Sequence, residues 1–456
     1  MEEREERFEH MLELVRSTLE SGDPARLRGA LSEMRGADAA DVLAALPEEQ
    51  HLPLLRAMDR ELASDALAML DEGIARQILS RLGADEIADL LDPLPSDDQT
   101  DLINLIPPEH VPAVLRRISR EDYEDVAELL KFDEETAGGI MAREILTVRR
   151  GLTIQDVIDT IRKEFKDVDH IQSVYVIDAN ETLLGTIPLV HLLVEDPGRR
   201  VEEVMDADPL TVKVDTDQEE VAAVFSRYDL YSLPVVDESG RLAGRITVDD
   251  IIDVIEEEAN EDITMMAGSG DEEFWERSPL RLSRARLPWL LTGLFGGITS
   301  ALVMNHFKAS IESVLALAFF VPVITAMGGN VGIQSSAIVV RELATGGISI
   351  VQTGSKLLRE LKVALINGAV IASVLLGIVW LWRGDPKLGL LLGTCMFAII
   401  LWATVLGALI PMLLKRVNID PALATGPFIT TFNDILGIVF YLGIATLFLD
   451  WIGRGP

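Results

Sequence analysis

The 456-residue chain contains a single cysteine, Cys395, set in an apolar stretch. No disulfide framework and no cysteine-based metal site is available within one chain. Histidine is also scarce: the six, at positions 10, 51, 110, 170, 191 and 306, nowhere make an HExxH spacing. An intramembrane metalloprotease therefore has no motif to stand on, and the chain reads as a non-enzyme. Basic patches interleaved with aromatics are missing, so nucleic acid is not an expected partner. The opening residues, MEEREERFEHMLELV, lack the cationic and apolar regions of a signal peptide, and the N-terminal half is expected in the cytoplasm.

Carboxylates are crowded into one half and rare in the other. From Arg284 to the C-terminus there are 7 acidic residues against 12 Lys and Arg. The whole chain has 74 and 40, so the first 283 residues hold 67 and 28, formal charges of +5 and −39 for the two parts. An acidic surface repels nucleic acid and attracts cations.

The sparsely charged half carries five apolar runs, about 287–305, 313–338, 362–382, 388–413 and 427–449. Each is long enough to cross a hydrocarbon core of roughly 30 Å. Arg281, Arg284 and Arg286 precede the first run; Arg341, Lys356, Arg359 and Lys362 follow the second; Lys415 and Arg416 follow the fourth. The opposite loops hold fewer cations, which places the N-terminus inside and the C-terminus outside.

Asp434 is the one carboxylate well inside such a run, FITTFNDILGIVFYLGIATLFL (Phe428–Leu449), accompanied by Thr430, Thr431 and Asn433. A charge there costs about 2.5–3.5 kcal/mol even on lenient insertion scales, and such residues mark ion or substrate pathways. The second run contains PVITAMGGNVGIQSS (Pro322–Ser336), where Gly328, Gly329 and Gly332 flank Asn330 and Gln334. An interrupted helix lining a cavity is expected, with ordinary small-residue helix packing as the alternative. A second Gly/Pro break, PALATGPFITTFND (Pro421–Asp434), opens the fifth run. Two broken helices with converging polar groups are a common membrane ion site. Gly329, Asn330, Gly332, Gln334, Pro427 and Thr431 are the candidate pore-lining positions. The available ligands are oxygen donors, which suits Mg²⁺ or Ca²⁺ better than zinc or copper. One carboxylate per chain is thin for a strongly hydrated dication; a homodimer would bring two to one axis.

In the acidic half, residues 1–133 read as all helix. Units such as DVLAALPEEQ, DALAMLDEGI and EIADLLDPLP form a loose repeat with proline stops, the mark of a small superhelix. Asp85 and Asp89 read there as part of a solvated face. Beyond residue 138, SVYVIDANETLLGTIPLVHLL (Ser173–Leu193) and SLPVVDESGRLAGRITVDDII (Ser232–Ile252) share one strand–turn–strand–helix layout, an internal duplication. ITVDDIIDVIEEEANEDI (Ile246–Ile263) then stacks Asp250, Asp253, Glu257, Glu258, Glu261 and Asp262 on neighbouring helix turns. Like charges at that spacing repel. The helix is either a solvated acidic surface or a place where Mg²⁺ or Ca²⁺ bridges carboxylates to facing domains.

GGNVGIQS, the Pro421–Asp434 segment, TDQEEV at 216–221 and VDDIIDVIEEEANEDI together resemble the MgtE family of magnesium channels and transporters, over nearly the whole chain. The resemblance implies a multidomain integral membrane protein with an all-α superhelical N domain (1–133) and an α/β pair of CBS repeats (138–200 and 201–262). A plug or connecting helix and linker (250–283) and an α-helical membrane domain of five spans (284–456) follow. It implies a homodimer in the bilayer of the plasma (cell inner) membrane, taking up Mg²⁺ through a central pore. Asp434 would bind and select the hydrated ion. The sensing acids of the family would fall on Asp217, Glu219, Asp229, Asp250, Asp253, Glu258, Glu261 and Asp262, with Asp85 and Asp89 facing the plug. Regulatory Mg²⁺ would bridge these groups and close the pore. ATP is a further ligand of some members, but Ile187-Pro188-Leu189-Val190-His191 lacks the serine and aspartate that would hold it in the first repeat. Thr247 and Asp250 keep a Ser/Thr-x-x-Asp pattern in the second. The competing readings are a transporter of Co²⁺, Mn²⁺ or Ca²⁺, and a membrane cation sensor that transports nothing.

Overall fold

The computed structural model describes residues 2–21, 23–164, 172–267, 279–344, 353–417 and 419–453. The chain divides into two compact units, Met1–Ile255 and Glu256–Pro456. Residues 268–278 of the expected linker lie outside the described residues.

The first unit opens with ten helices, from α1 (Glu2–Ser21) to α10 (Arg120–Leu129). Most are about two turns long, because Pro47 and Pro95 stand at helix starts and Asp23, Asp59 and Ser119 cap the next ones through side-chain oxygens. α3 (Gly36–Ala45) packs on α5 (Arg60–Ala68), α5 on α7 (Ala84–Leu91), and α7 on α9 (Val111–Val114). Polar ties repeat the same step: Arg56–Glu86, Arg60–Asp92, Arg81–Glu48 and Arg117–Asp85 join residues 30 to 33 apart. A two-helix repeat of that length is a superhelix, its core built from Leu43, Leu54, Leu67, Leu79, Ile87 and Leu91.

Two three-stranded sheets follow with one topology. Strand β1 (Thr147–Arg149) runs parallel to β2 (Ser173–Ile177), which pairs antiparallel with β3 (Leu183–Pro188). Strands β4 (Val212–Lys213), β5 (Ser232–Val236) and β6 (Leu242–Thr247) repeat that order, with a register shift at the equivalent place in each hairpin. The hairpin turns match as well. Asp178 accepts from the backbone of Asn180 and Thr182 at 2.7 and 2.9 Å, and Asp237 from Ser239 and Arg241 at the same distances. α11 (Ile154–Glu164), α12 (Leu189–Val194) and α13 (Val201–Val204) belong to the first repeat; α14 (Gln218–Tyr228) and α15 (Val248–Ala267) belong to the second.

Among the described residues the second unit holds five helices long and apolar enough to cross a membrane. They are α16 (Pro279–His306), α18 (Ala316–Ala344), α19 (Thr353–Arg383), α20 (Pro386–Arg416) and α21 (Pro427–Leu447), with the short α17 (Lys308–Ser313) and α22 (Leu449–Gly453) between or after them. α16 and α19 begin about two turns before their apolar runs, since a basic flank continues a helix into the headgroup region without cost to the span. One expectation is corrected: α18 is unbroken through Pro322–Ser336. Its glycines make room for neighbouring helices instead of unwinding. The break before α21 is present, as a 3₁₀ turn (Pro421–Ala424) and Gly426 at φ +69° ahead of Pro427.

Candidate functional site

In the membrane unit the polar groups gather where α18 crosses α21. Gly332 is required by a close approach: a methyl group there would overlap the Asn433 carboxamide. One turn earlier, Gly329 lies under Thr430 and Asp434, whose Oδ1 stands 3.9 Å from where a side chain at 329 would begin. The absence of side chains on this face of α18 thus leaves the Asp434 carboxylate beside backbone. Asp434 is half-buried, and no hydrogen bond or ion pair among the described residues holds it. Thr430 turns its hydroxyl back to the carbonyls of Gly426 and Pro427, both at 3.1 Å, which ties the first turn of α21 to the preceding break.

The other pore-lining candidates are distributed differently. Asn330 and Gln334, one helical turn apart on α18, are exposed. Pro427 starts α21 and is half-buried; Thr431 packs against Gly296 of α16. Asn433 is a residue that spacing alone does not single out. It is only 3 % exposed and its Nδ2 lacks a hydrogen-bond partner among the described residues. Its only sequence signal is its place next to Asp434.

In the first unit a second cluster forms where the helical stack meets the start of α15. Asp97 and Asp98, in the first turn of α8 (Ser96–Asn104), face Asp249, Asp250 and Asp253. Burial pushes Asp98 up to about 7, reinforced by Asp250, Asp249, Asp253 and Asp65. Burial also raises Asp97 well above the carboxylate range, with Asp250, Asp98 and Glu144 adding to it. Asp250 is raised by burial although the Thr247 hydroxyl donates to it at 2.7 Å and the Thr247 amide at 3.0 Å. The Asp250 carboxylate therefore caps the Thr247 amide at the start of α15. Asp85 and Asp89, expected to face the plug, lie on α7. α7 lies between α5 and α9, so both acids are exposed and Asp85 pairs with Arg117.

Asp217 caps α14 through the Glu219 amide at 2.9 Å, and Asp229 ends the same helix at φ +51°. Glu258, Glu261 and Asp262 lie half-buried on α15. Among the described residues no three acidic, histidine or cysteine side chains stand close enough to hold one metal ion. The arrangement is a set of facing carboxylates, costly to ionise together and open to relief by a divalent ion.

A folded-state value near 7 against an unfolded value near 3.9 means that folded Asp98 keeps its proton between roughly pH 4 and 7. Stability of the first unit should fall as pH rises through that window. Asp98→Asn is expected to flatten the fall and to stabilise the unit at pH 8 by up to about 4 kcal/mol in chelator. Chemical denaturation across pH checks this, and parallel profiles for the two proteins would refute it.

Comparison with known proteins places these features. Residues 321–444 match the family described as divalent cation transporter, residues 34–135 the MgtE intracellular N domain, and residues 137–197 and 201–257 the CBS domain. The chain is 38 % identical to the magnesium transporter MgtE of Thermus thermophilus over 72 % of this chain and 73 % of that protein. It is 35 % identical to the magnesium transporter MgtE of Bacillus subtilis over 70 % and 71 %. The crystal structure of the cytosolic domain of the Mg²⁺ channel MgtE in complex with ATP matches with a TM-score of 0.51 at 32 % identity, covering 53 % of this chain and 99 % of that one.

Proposed function

The chain belongs to the MgtE family of magnesium transporters, and from that premise we propose that it is a homodimeric, Mg²⁺-selective uptake pathway closed by Mg²⁺ on its acidic first unit. The observation that carries the proposal is the Asp434 carboxylate, without a partner among the described residues and set against the bare Gly329 face of α18. Such a group in a bilayer needs a cation or a polar neighbour. Mg²⁺ sheds water reluctantly and is held through one or two carboxylates. Two Asp434 side chains at a two-fold axis, reached through the ion's waters, meet that demand.

Exposure elsewhere supports the second subunit. Asn330 and Gln334 are amides on the outer face of a membrane helix, where lipid would leave them unsatisfied. In the first unit Val190, Leu193 and Val194 on α12 and Ile252 on α15 are more than half exposed, an apolar surface suited to a copy of itself. The Lys and Arg at the start of α16, across the end of α18 and the start of α19, and at the end of α20 support a cytoplasmic N-terminus and an external C-terminus.

For gating, Asp97 and Asp98 oppose Asp249, Asp250 and Asp253, while Asp217, Glu219, Asp229, Glu258, Glu261 and Asp262 supply further carboxylates. Bound Mg²⁺ draws these surfaces together and holds the pathway closed; loss of Mg²⁺ restores repulsion and releases it. Nucleotide is not part of the proposal, since the Thr247 hydroxyl and amide are both committed to Asp250. Flux of Mg²⁺ into proteoliposomes, in competition with Co²⁺, Mn²⁺ and Ca²⁺ at fixed internal Mg²⁺, tests selectivity. Equal flux of Ca²⁺ would favour a general divalent pathway, and no flux of any ion a sensor.

A further inference from the structure

The first turn of α8 is capped from a distant part of the chain. Pro95, at its N-cap position, offers no side-chain acceptor. Instead Glu144, 48 residues downstream, accepts from the Ser96 amide at 3.1 Å and from its hydroxyl at 2.9 Å, and Ser96 is 2 % exposed. A carboxylate at a helix N-terminus satisfies free amides and meets the positive end of the helix dipole.

The neighbouring Arg143 works in the same place. Its amide donates to the Ser96 hydroxyl at 2.8 Å. Its guanidinium reaches Asp125 and Glu128 of α10, each at 3.2 Å, and the Ala243 carbonyl of β6 at 2.8 Å. One half-buried side chain thus ties the helical stack to the strand that leads into α15.

These attractive contacts sit next to repulsive ones. Asp97 and Asp98 follow Ser96 directly and face Asp249, Asp250 and Asp253, so separation would relieve like charge but would uncap α8 and strip Arg143 of three partners. We propose that Arg143 and Glu144 form a cation-independent latch that seats α8 opposite α15 and sets the Mg²⁺ concentration at which the unit closes. The latch rests on the Mg²⁺-dependent closure proposed above. It takes no ion itself; it lowers the share of the docking free energy that Mg²⁺ must supply.

The test uses the full-length protein in lipid nanodiscs, with Mg²⁺ as the titrant and protection of the first unit from protease as the readout. Arg143→Leu and Glu144→Gln are each expected to raise the midpoint about ten- to hundredfold, the effect of losing one charge-assisted hydrogen bond. Arg143→Lys, which keeps the charge but loses the fork, should fall between them and wild type. Asp434-dependent flux at low Mg²⁺ should be unchanged. Glu144→Gln keeps volume and one carbonyl acceptor while losing the charge, so it carries the test if Arg143→Leu fails to fold. If wild type responds to Mg²⁺ and the variants share its midpoint, the latch is overturned. If wild type itself shows no Mg²⁺-dependent protection, the closure reading fails and the latch falls with it.

Discussion

Proteoliposomes carrying Asp434→Ala are expected to lose Mg²⁺ flux while the protein keeps its helical content and its oligomeric state. The carboxylate supplies the only formal charge well inside α21, and a cation crossing there has no other anionic ligand in that helix. Removing one partner of a desolvated charge pair costs about 3 kcal/mol, a factor of about 100 in occupancy or rate. Asp434→Asn should lose nearly as much, because an amide keeps the shape but not the charge that offsets dehydration. Asp434→Glu is the informative intermediate. The added methylene pushes the carboxylate across the narrow gap to Gly329, so some flux with altered ion preference is expected. Selective Mg²⁺ flux undiminished in Asp434→Ala would remove this residue from the ion path.

Deleting residues 1–262 is the second large effect: flux should become indifferent to internal Mg²⁺. The membrane unit has a core of its own, built around Leu317, Ile324, Leu392, Met396, Ile399 and Tyr441. If closure in millimolar Mg²⁺ holds the open fraction near one per cent, the deletion raises flux there about 100-fold, since a 99:1 bias is what a regulatory domain of that strength contributes. The same flux assay, run with Mg²⁺ buffered inside the vesicles, decides the matter. A truncated protein that is folded yet still closes would move the sensor into the membrane unit.

Much of this was legible before any coordinates. The duplication showed because both hairpins need an Asp to turn the chain, and Asp178 and Asp237 do the same work in the same place. The spans showed because bilayer thickness sets a length that no soluble helix needs to keep free of charge. The unbroken α18 did not show. A glycine that lets another helix approach and a glycine that lets its own helix unwind are the same letter, and only Asn433 packed on Gly332 separates them. That Asp97 and Asp98 face the start of α15 did not show for a related reason. DEIAD at 85–89 and DDQTD at 97–101 have the same aspartate spacing, and which one meets α15 depends on how far along the superhelix each lies. Local pattern carries no record of that position.

The odd-on-odd packing of the helical stack has a consequence for how this part of the molecule can change over time. A solenoid held by nearest-neighbour contacts has no centre to melt, and its end units can be lost or gained one at a time. Asp97 and Asp98 sit in α8, toward the end joined to the sheets, while α1 lies toward the other end. Shortening or lengthening the α1 end therefore alters bulk and solubility but leaves the geometry of the facing aspartates alone. The stack behaves as a handle of adjustable length bolted to a fixed jaw.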